Sequence, residues 1–280
     1  MAYTTLKLEV SDHVAHLVLD RPRRLNTMVP EFWREMVEAF AEIAARTEAR
    51  VVVLSSTGRH FSAGLDLKAF APIFAGLGAG EAGRVRERLR RAVLEMQESF
   101  NVVERCRVPV LAAVQGGCIG GGVDLVSACD ARYCTRDAFF SIQEVNSGMT
   151  ADVGTLQRLP HLMPSGLVRE LAYTGRRLEA QEARQAGLVN RVYDDARALL
   201  EGVMEIAAEI ARKSPLAVEG SKEMLNFSRD HSVVEGLRYV ATWQAGMFLS
   251  ADLEEAMRAQ AEKRVPEFAD LLPLDRGVKS

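Results

Sequence analysis

The 280-residue chain has no apolar run approaching the ~20 residues that a membrane-crossing helix needs, so a spanning segment is not expected. It has almost no charge excess: 35 basic against 38 acidic residues leave a formal charge of −3. Nucleic acid and anionic membrane surfaces are therefore not the expected partners, and an anionic ligand has to be met by local groups. It has only four cysteines, Cys106, Cys118, Cys129 and Cys134. None is spaced as CxxC and no nearby histidine completes a zinc set, so no metal centre is expected, only reduced and mostly buried thiols. Such usage suits a reducing compartment. The Gly-Lys-Ser/Thr of a phosphate-binding P-loop is missing. No low-complexity linker divides the chain. Residues 1–12 do not resemble a signal peptide, and Gly277-Val278-Lys279-Ser280 is no peroxisomal address. With a bacterial source assumed, a cytoplasmic location is expected.

What is present is an ordinary globular composition, 48% hydrophobic and 26% charged. The length suits one large domain, or a core with a small appendage. Residues 5–11 and 14–19 alternate as strands. Pro30 opens a helix with Phe32, Met36, Phe40 and Ile43 on one face. Val51–Leu54 and Val110–Val114 read as buried strands. Residues 71–83, rich in Gly and Ala, read as a mobile loop ahead of a charged helix over about 84–105. Short strands are expected near 130–134, 138–141 and 189–192. Helices are expected over 152–159, 165–173 and 179–186, and through most of 195–264. Strands stop near residue 195, which places a core over 1–194 and a helical part over 195–280. The alternation of strand and helix makes the class α/β.

Gly120-Gly121-Gly122 lies between a buried strand and a helix. Consecutive glycines let a ligand approach the backbone, and N–H groups at a helix start lack intrahelical partners. Such a place suits an anion or an oxygen that becomes one. A tight turn with close helix packing is the equal alternative. Ala63-Gly64, after a separate strand, could offer a second N–H. Three acidic residues follow the glycines. Asp124 has apolar neighbours in a helix that reads as buried. Glu144 follows the strand Phe139-Phe140-Ser141, and a solvated loop charge is its plain alternative. Asp152 falls near a helix start, where an N-terminal cap is the plain alternative.

These residues match a known family. His60-Phe61-Ser62-Ala63-Gly64-Leu65-Asp66-Leu67 resembles the first signature loop of the enoyl-CoA hydratase/isomerase (crotonase) superfamily. Ala113-Val114-Gln115-Gly116 through Gly120-Gly121-Gly122-Val123-Asp124-Leu125 resembles the second. The likeness runs on through Thr155-Leu156-Gln157-Arg158-Leu159 and Ala186-Gly187-Leu188-Val189 to Glu262-Lys263-Arg264-Val265-Pro266-Glu267-Phe268. It implies a crotonase-like spiral of ββα units with a helical, oligomerising C-terminal region, assembled as a homotrimer or homohexamer. It implies that the N–H groups of Ala63 and Gly121 form an oxyanion hole for a thioester oxygen. It also implies that the backbone of Ala63, Gly64, Leu65, Asp66 and Leu67 binds coenzyme A, with Arg23 or Arg24 at the phosphates.

Gly122-Val123-Asp124-Leu125-Val126 and Ala151-Asp152-Val153-Gly154 look like the delta3,5-delta2,4-dienoyl-CoA isomerase subfamily. An acidic residue is common there where this chain has Asn146, a departure that bears on substrate fit. The resemblance implies an isomerase of fatty acid beta-oxidation, with Asp124, Glu144 and Asp152 as the catalytic carboxylates. The expected partner is an acyl-CoA thioester, with no cofactor beyond the coenzyme A carried by the substrate. Glu144 is assigned to carbon 2 of the dienoyl chain and Asp152 to carbon 6, the reverse order being the alternative. Clustered carboxylates in an apolar pocket push their pKa values apart, which suits acid and base roles. A 2-enoyl-CoA hydratase using Asp124 and Glu144 is the first rival, and it leaves Asp152 unexplained. A scaffold on the same fold is the second, and it would show lost carboxylates or an added basic face.

Overall fold

Strands that read as continuously apolar are buried on both faces in the computed structural model, which describes residues 3–76 and 80–274. The chain opens with a hairpin of β1 (Leu6–Ser11) and β2 (Val14–Leu19), paired antiparallel from Leu6↔Leu19 to Ser11↔Val14. Helix α1 (Pro30–Ala45) starts on its proline and buries Phe32, Met36, Phe40 and Ile43. Strand β3 (Val51–Ser56) is followed by α2 (Leu67–Gly76) and α3 (Ala82–Glu104). Two strand–strand–helix units come next. The first is β4 (Val110–Val114), β5 (Gly117–Ile119) and α4 (Gly121–Ser127). The second is β6 (Ala131–Thr135), β7 (Phe139–Ser141) and α5 (Thr155–Arg158). Then follow α6 (Ser165–Thr174), β8 (Leu178–Glu179), α7 (Ala180–Ala186) and β9 (Arg191–Tyr193). The chain closes with α8 (Ala196–Ala211), α9 (Pro215–Asp230), α10 (Val233–Met247) and α11 (Ala251–Glu262).

A six-stranded sheet has the order β1-β2-β3-β4-β6-β9, parallel after the first hairpin, and a three-stranded sheet has the order β5-β7-β8. In each unit the first strand joins the large sheet and the second joins the small one. That is the expected ββα spiral.

Alternation along the strands splits the core in two. Leu17, Val52, Leu54 and Val110 point to α1 and the spiral interior. Val51, Val53, Leu111 and Ala113 point the other way, onto Leu199, Val203 and Ala207 of α8. Each of these valine and leucine side chains, fully buried, contributes ~1.5–3 kcal/mol. The sheet's second face is thus covered by a helix from the C-terminal stretch.

The reading of 71–83 as a loop is corrected on both flanks. Residues 67–76 form α2, and residues 80 and 81 lead directly into α3; residues 77–79 lie outside the described residues. Asp66 explains the new helix, because its Oδ1 accepts the N–H of Ala69 at 3.1 Å as an N-terminal cap. The helix expected over 152–159 shrinks to α5, with an irregular stretch carrying Asp152 before it. No helix among the described residues is long and apolar enough to cross a membrane.

Candidate active site

The two glycine-bearing loops lie side by side, zipped by backbone hydrogen bonds. Phe61 N–H donates to Gln115 O at 2.8 Å, Ser62 N–H to Gly117 O at 3.2 Å, and Ile119 N–H to Ser62 O at 3.0 Å. Gly64, at φ +78°, crosses so tightly that a Cβ there would lie 2.8 Å from Ile119 O and 3.4 Å from Gly121 N. A side chain on Gly121 would meet Met28 Sδ at 2.8 Å. Close approach to backbone and a positive backbone angle require glycine at Gly64, whereas a side chain on Gly121 would force the buried Met28 side chain to shift.

Which N–H groups remain free decides what this junction can bind. Gly121 is the first residue of α4, so its N–H has no intrahelical acceptor. Ala63 does not supply the second donor. Its N–H is committed to Leu25 O at 2.9 Å. Gly64 N–H donates to Ser62 Oγ at 3.1 Å, and Asp66 N–H to Met28 O at 3.0 Å. Leu65 bridges to Met28 in parallel fashion, which turns its own N–H away from that partner. Among the described residues the Leu65 N–H makes no hydrogen bond. The donor assignment to Ala63 is therefore corrected: the loop's unengaged N–H belongs to Leu65.

Asp66 is held by Thr27 Oγ1 at 2.8 Å, with Arg21 3.8 Å away, and these contacts hold its carboxyl below the usual range. It is a builder of the loop. Leu67 is exposed, and Arg23 sits exposed on the short turn Pro22–Arg24 beside Leu25.

Asp124 lies in the helix that the glycines open, Glu144 packs against Gly120, and the charge of Asp152 acts on both. Asp124 is fully buried in α4. Its Oδ1 accepts the N–H of Thr155 at 2.6 Å, while its Oδ2 is buried with no partner. Burial, and then the Glu144 charge, push its pKa up to about 7. Glu144 opens the short turn Glu144–Ser147. A Cβ on Gly120 would lie 3.1 Å from its Oε1, and its Oε2 is buried without a partner. A solvated loop charge does not fit that setting. Burial and then Asp152 raise its pKa. Asp152 is exposed as a residue, yet its carboxyl is enclosed enough for desolvation to raise its pKa as well. Gly154 occupies the cap position of α5, so Asp152 is not that helix's cap.

Sequence reasoning missed three participants. The Thr155 N–H that holds Asp124 is a backbone group, invisible in side-chain patterns. Trp33 of α1 reaches the glycine run, its Cη2 3.9 Å from where a Gly121 Cβ would be, and its Nε1 is a buried donor without a partner. Gln97 of α3 donates to Asp152 O at 2.6 Å. Asn146, the departure noted above, contacts Gln143 Oε1 at 3.3 Å and Gly175 O at 3.4 Å at the surface. It braces the Glu144 turn against the end of α6.

A buried backbone junction with two free donors, ringed by carboxyls of raised pKa, is built for charge that appears on a ligand oxygen while protons move nearby. The profile of the enoyl-CoA hydratase/isomerase family matches residues 9–271, and the chain belongs to that family. Among its curated relatives is the human mitochondrial delta(3,5)-delta(2,4)-dienoyl-CoA isomerase, 47% identical over 265 residues, covering 94% of this chain and 81% of the human protein. The peroxisomal enzyme of the same description from Arabidopsis thaliana is 45% identical over 274 residues, covering 96% of this chain and 99% of that one. The solved structure of an enoyl-CoA hydratase from Bacillus anthracis superposes with a TM-score of 0.86 at 32% identity, covering 95% of this chain and 99% of the other. The expectation of a cytoplasmic location is overturned by these relatives, which are mitochondrial and peroxisomal. That expectation rested on the absence of a recognised address and on an assumed bacterial source.

Proposed function

We propose that the protein isomerises a 3,5-dienoyl-CoA to the 2,4-dienoyl-CoA through a dienolate. The single observation that carries this reading is the placement of Asp124 and Glu144 at the glycine run, each with a buried, unpartnered carboxyl oxygen, with Asp152 near enough for its charge to raise the pKa of both. In this reading the N–H groups of Leu65 and Gly121 hold the thioester oxygen as it gains negative charge. Loss of one such donor costs ~3–4 kcal/mol in the barrier. Glu144 takes the proton from carbon 2, and the C–H electron pair enters the extended enolate. Asp152, protonated, supplies carbon 6. One carboxylate does not reach both carbons, which gives two acidic arms a reason to exist. Glu144 then gives the carbon-2 proton to solvent and the exposed Asp152 takes one up, so both return to their starting states after each turnover. Asp124 stays at the centre as a fixed group, about half protonated near pH 7, whose state sets the field on Glu144. Coenzyme A would lie along residues 63–67 with Arg23 near its phosphates, and the chemistry asks for no separate cofactor.

The buried Oδ2 of Asp124 and Oε2 of Glu144, both without partners, favour one rival: they could hold a water for hydration of a 2-enoyl-CoA. An ultraviolet assay separates the two. A 3,5-dienoyl-CoA should give a growing conjugated 2,4-dienoyl band. If the protein instead bleaches the 2-enoyl band and leaves the 3,5-dienoyl thioester unchanged, it is a hydratase.

The helical part over 195–280 is proposed to carry self-association, as a trimer or hexamer in which α9 and α10 bury apolar groups now exposed. Leu225, Val233 and Leu237 are 73%, 77% and 62% exposed. Patches of this kind usually mark interfaces.

A further inference from the structure

We propose that Gln97 is a positioning residue for Asp152, so that helix α3 sets where the proton for carbon 6 is delivered. This rests on the isomerase reading above. No hydrogen bond from another described residue reaches the side chain of Asp152, so its aim depends on its backbone. That backbone is held from α3: Gln97 Nε2 donates to Asp152 O at 2.6 Å. The carbonyl belongs to the peptide that follows Asp152, and fixing that plane restricts the direction of the Cα–Cβ bond.

The same face of α3 grips the segment further along. Asn101 Oδ1 and Glu104 Oε2 accept from Arg158 Nη2 at 2.7 and 3.1 Å. Spacings of four and then three residues place Gln97, Asn101 and Glu104 on one stripe. Between these grips, the Thr155 N–H is tied to Asp124.

The stripe is itself anchored. Phe100 is fully buried against Trp33, with ring centroids 5.2 Å apart, and Ser99 Oγ donates to Trp33 O at 2.8 Å. Gln97 therefore projects from the stretch of α3 that is fixed to the core. Glu144 is carried by a different element, against Gly120. Loosening Gln97 should disturb one proton transfer and spare the other.

This separation gives the test. Glu144 breaks the C–H bond at carbon 2, leaving the electron pair in the dienolate. The dienolate then takes a proton back at carbon 2, or takes one at carbon 6 from Asp152. In deuterated water the first route labels the recovered 3,5-dienoyl-CoA, and the second yields product. Gln97→Met keeps the shape and removes the donor. Gln97→Lys keeps a donor of similar reach. Product formation in Gln97→Met should fall roughly tenfold, as small misplacements of a reacting group do. Label at carbon 2 should stay within about twofold of wild type, and Gln97→Lys should recover most of the product rate. Unchanged product in Gln97→Met, parallel loss of label and product, or equal loss in both variants would overturn the inference, provided melting curves show each variant folded. A wild type that makes no 2,4-dienoyl product would instead overturn the isomerase reading on which it rests.

Discussion

At the scale of single residues, Asp124 states the cost of the site most directly. Its carboxyl has an ordinary value of 3.8 and is raised to about 7 by burial and by Glu144. For an acid with a raised folded pKa, the unfolded chain ionises first as pH rises. Native stability is then lost between about pH 4 and about pH 7, and the full penalty persists above that window. From 3.8 to about 7 the penalty is on the order of 4 kcal/mol. Asp124→Asn removes it while keeping an oxygen for Thr155 N–H. The variant should melt several degrees above wild type at pH 8, with the gap closing as pH falls toward 4, and it should lose isomerase activity. Thermal melts across pH check this, and a gap independent of pH would contradict the assignment.

Residue identities at the site were legible because they are chemically unusual. A carboxylate among Val123, Leu125 and Val126, and an acid ahead of Val153-Gly154, stand out in the sequence. The donor was not legible. Whether Ala63 or Leu65 has the free N–H depends on where Leu25 and Met28 lie alongside the loop, a pairing across nearly forty residues of sequence that no local pattern encodes.

At the scale of elements, the glycine junction is the stiffest part. Gly64→Ala places a Cβ 2.8 Å from Ile119 O at φ +78°. The strain should cost ~1–3 kcal/mol of stability. Activity should fall further than stability, because the shift falls on the neighbouring Leu65 and Gly121 donors. Denaturant unfolding beside the dienoyl assay would show whether the two losses separate. Long periodic elements such as α1 and β4 were readable from spacing alone. Strand β5 was not, because Gly117-Cys118-Ile119 reads as part of the glycine turn, and only its pairing with Phe139–Ser141 makes it a strand. Helix α2 was hidden by its Gly and Ala content and by Pro72 inside it.

At the scale of the whole molecule, the C-terminal residues are strapped to the first sheet. Arg50 is 9% exposed and donates to Ala211 O at 3.1 Å, Phe268 O at 2.7 Å and Asp270 Oδ1 at 2.7 Å. Arg107 donates to Leu272 O at 2.9 Å. Arg50→Ala leaves the buried Ala211 carbonyl unpaired and removes a partly exposed ion pair to Asp270, and should cost ~1–3 kcal/mol, the order for one unsatisfied buried acceptor. A lower melting temperature with a protease-sensitive C-terminus is the expected result. The proposed assembly is tested by light scattering on the intact 30.8 kDa chain. Wild type should give three or six times that mass, and Leu237→Asp should give less.

The central claim is that two carboxylates serve two carbons of one dienolate, and the most direct measurement is the rise of the 2,4-dienoyl band from a 3,5-dienoyl-CoA with wild type, Glu144→Gln and Asp152→Asn side by side. The account predicts a rising band with wild type and its near-abolition in each variant, because the proton must be both taken and given. A wild-type rate retained by Asp152→Asn would contradict it, leaving a single carboxylate to do the chemistry and Asp152 without a catalytic role.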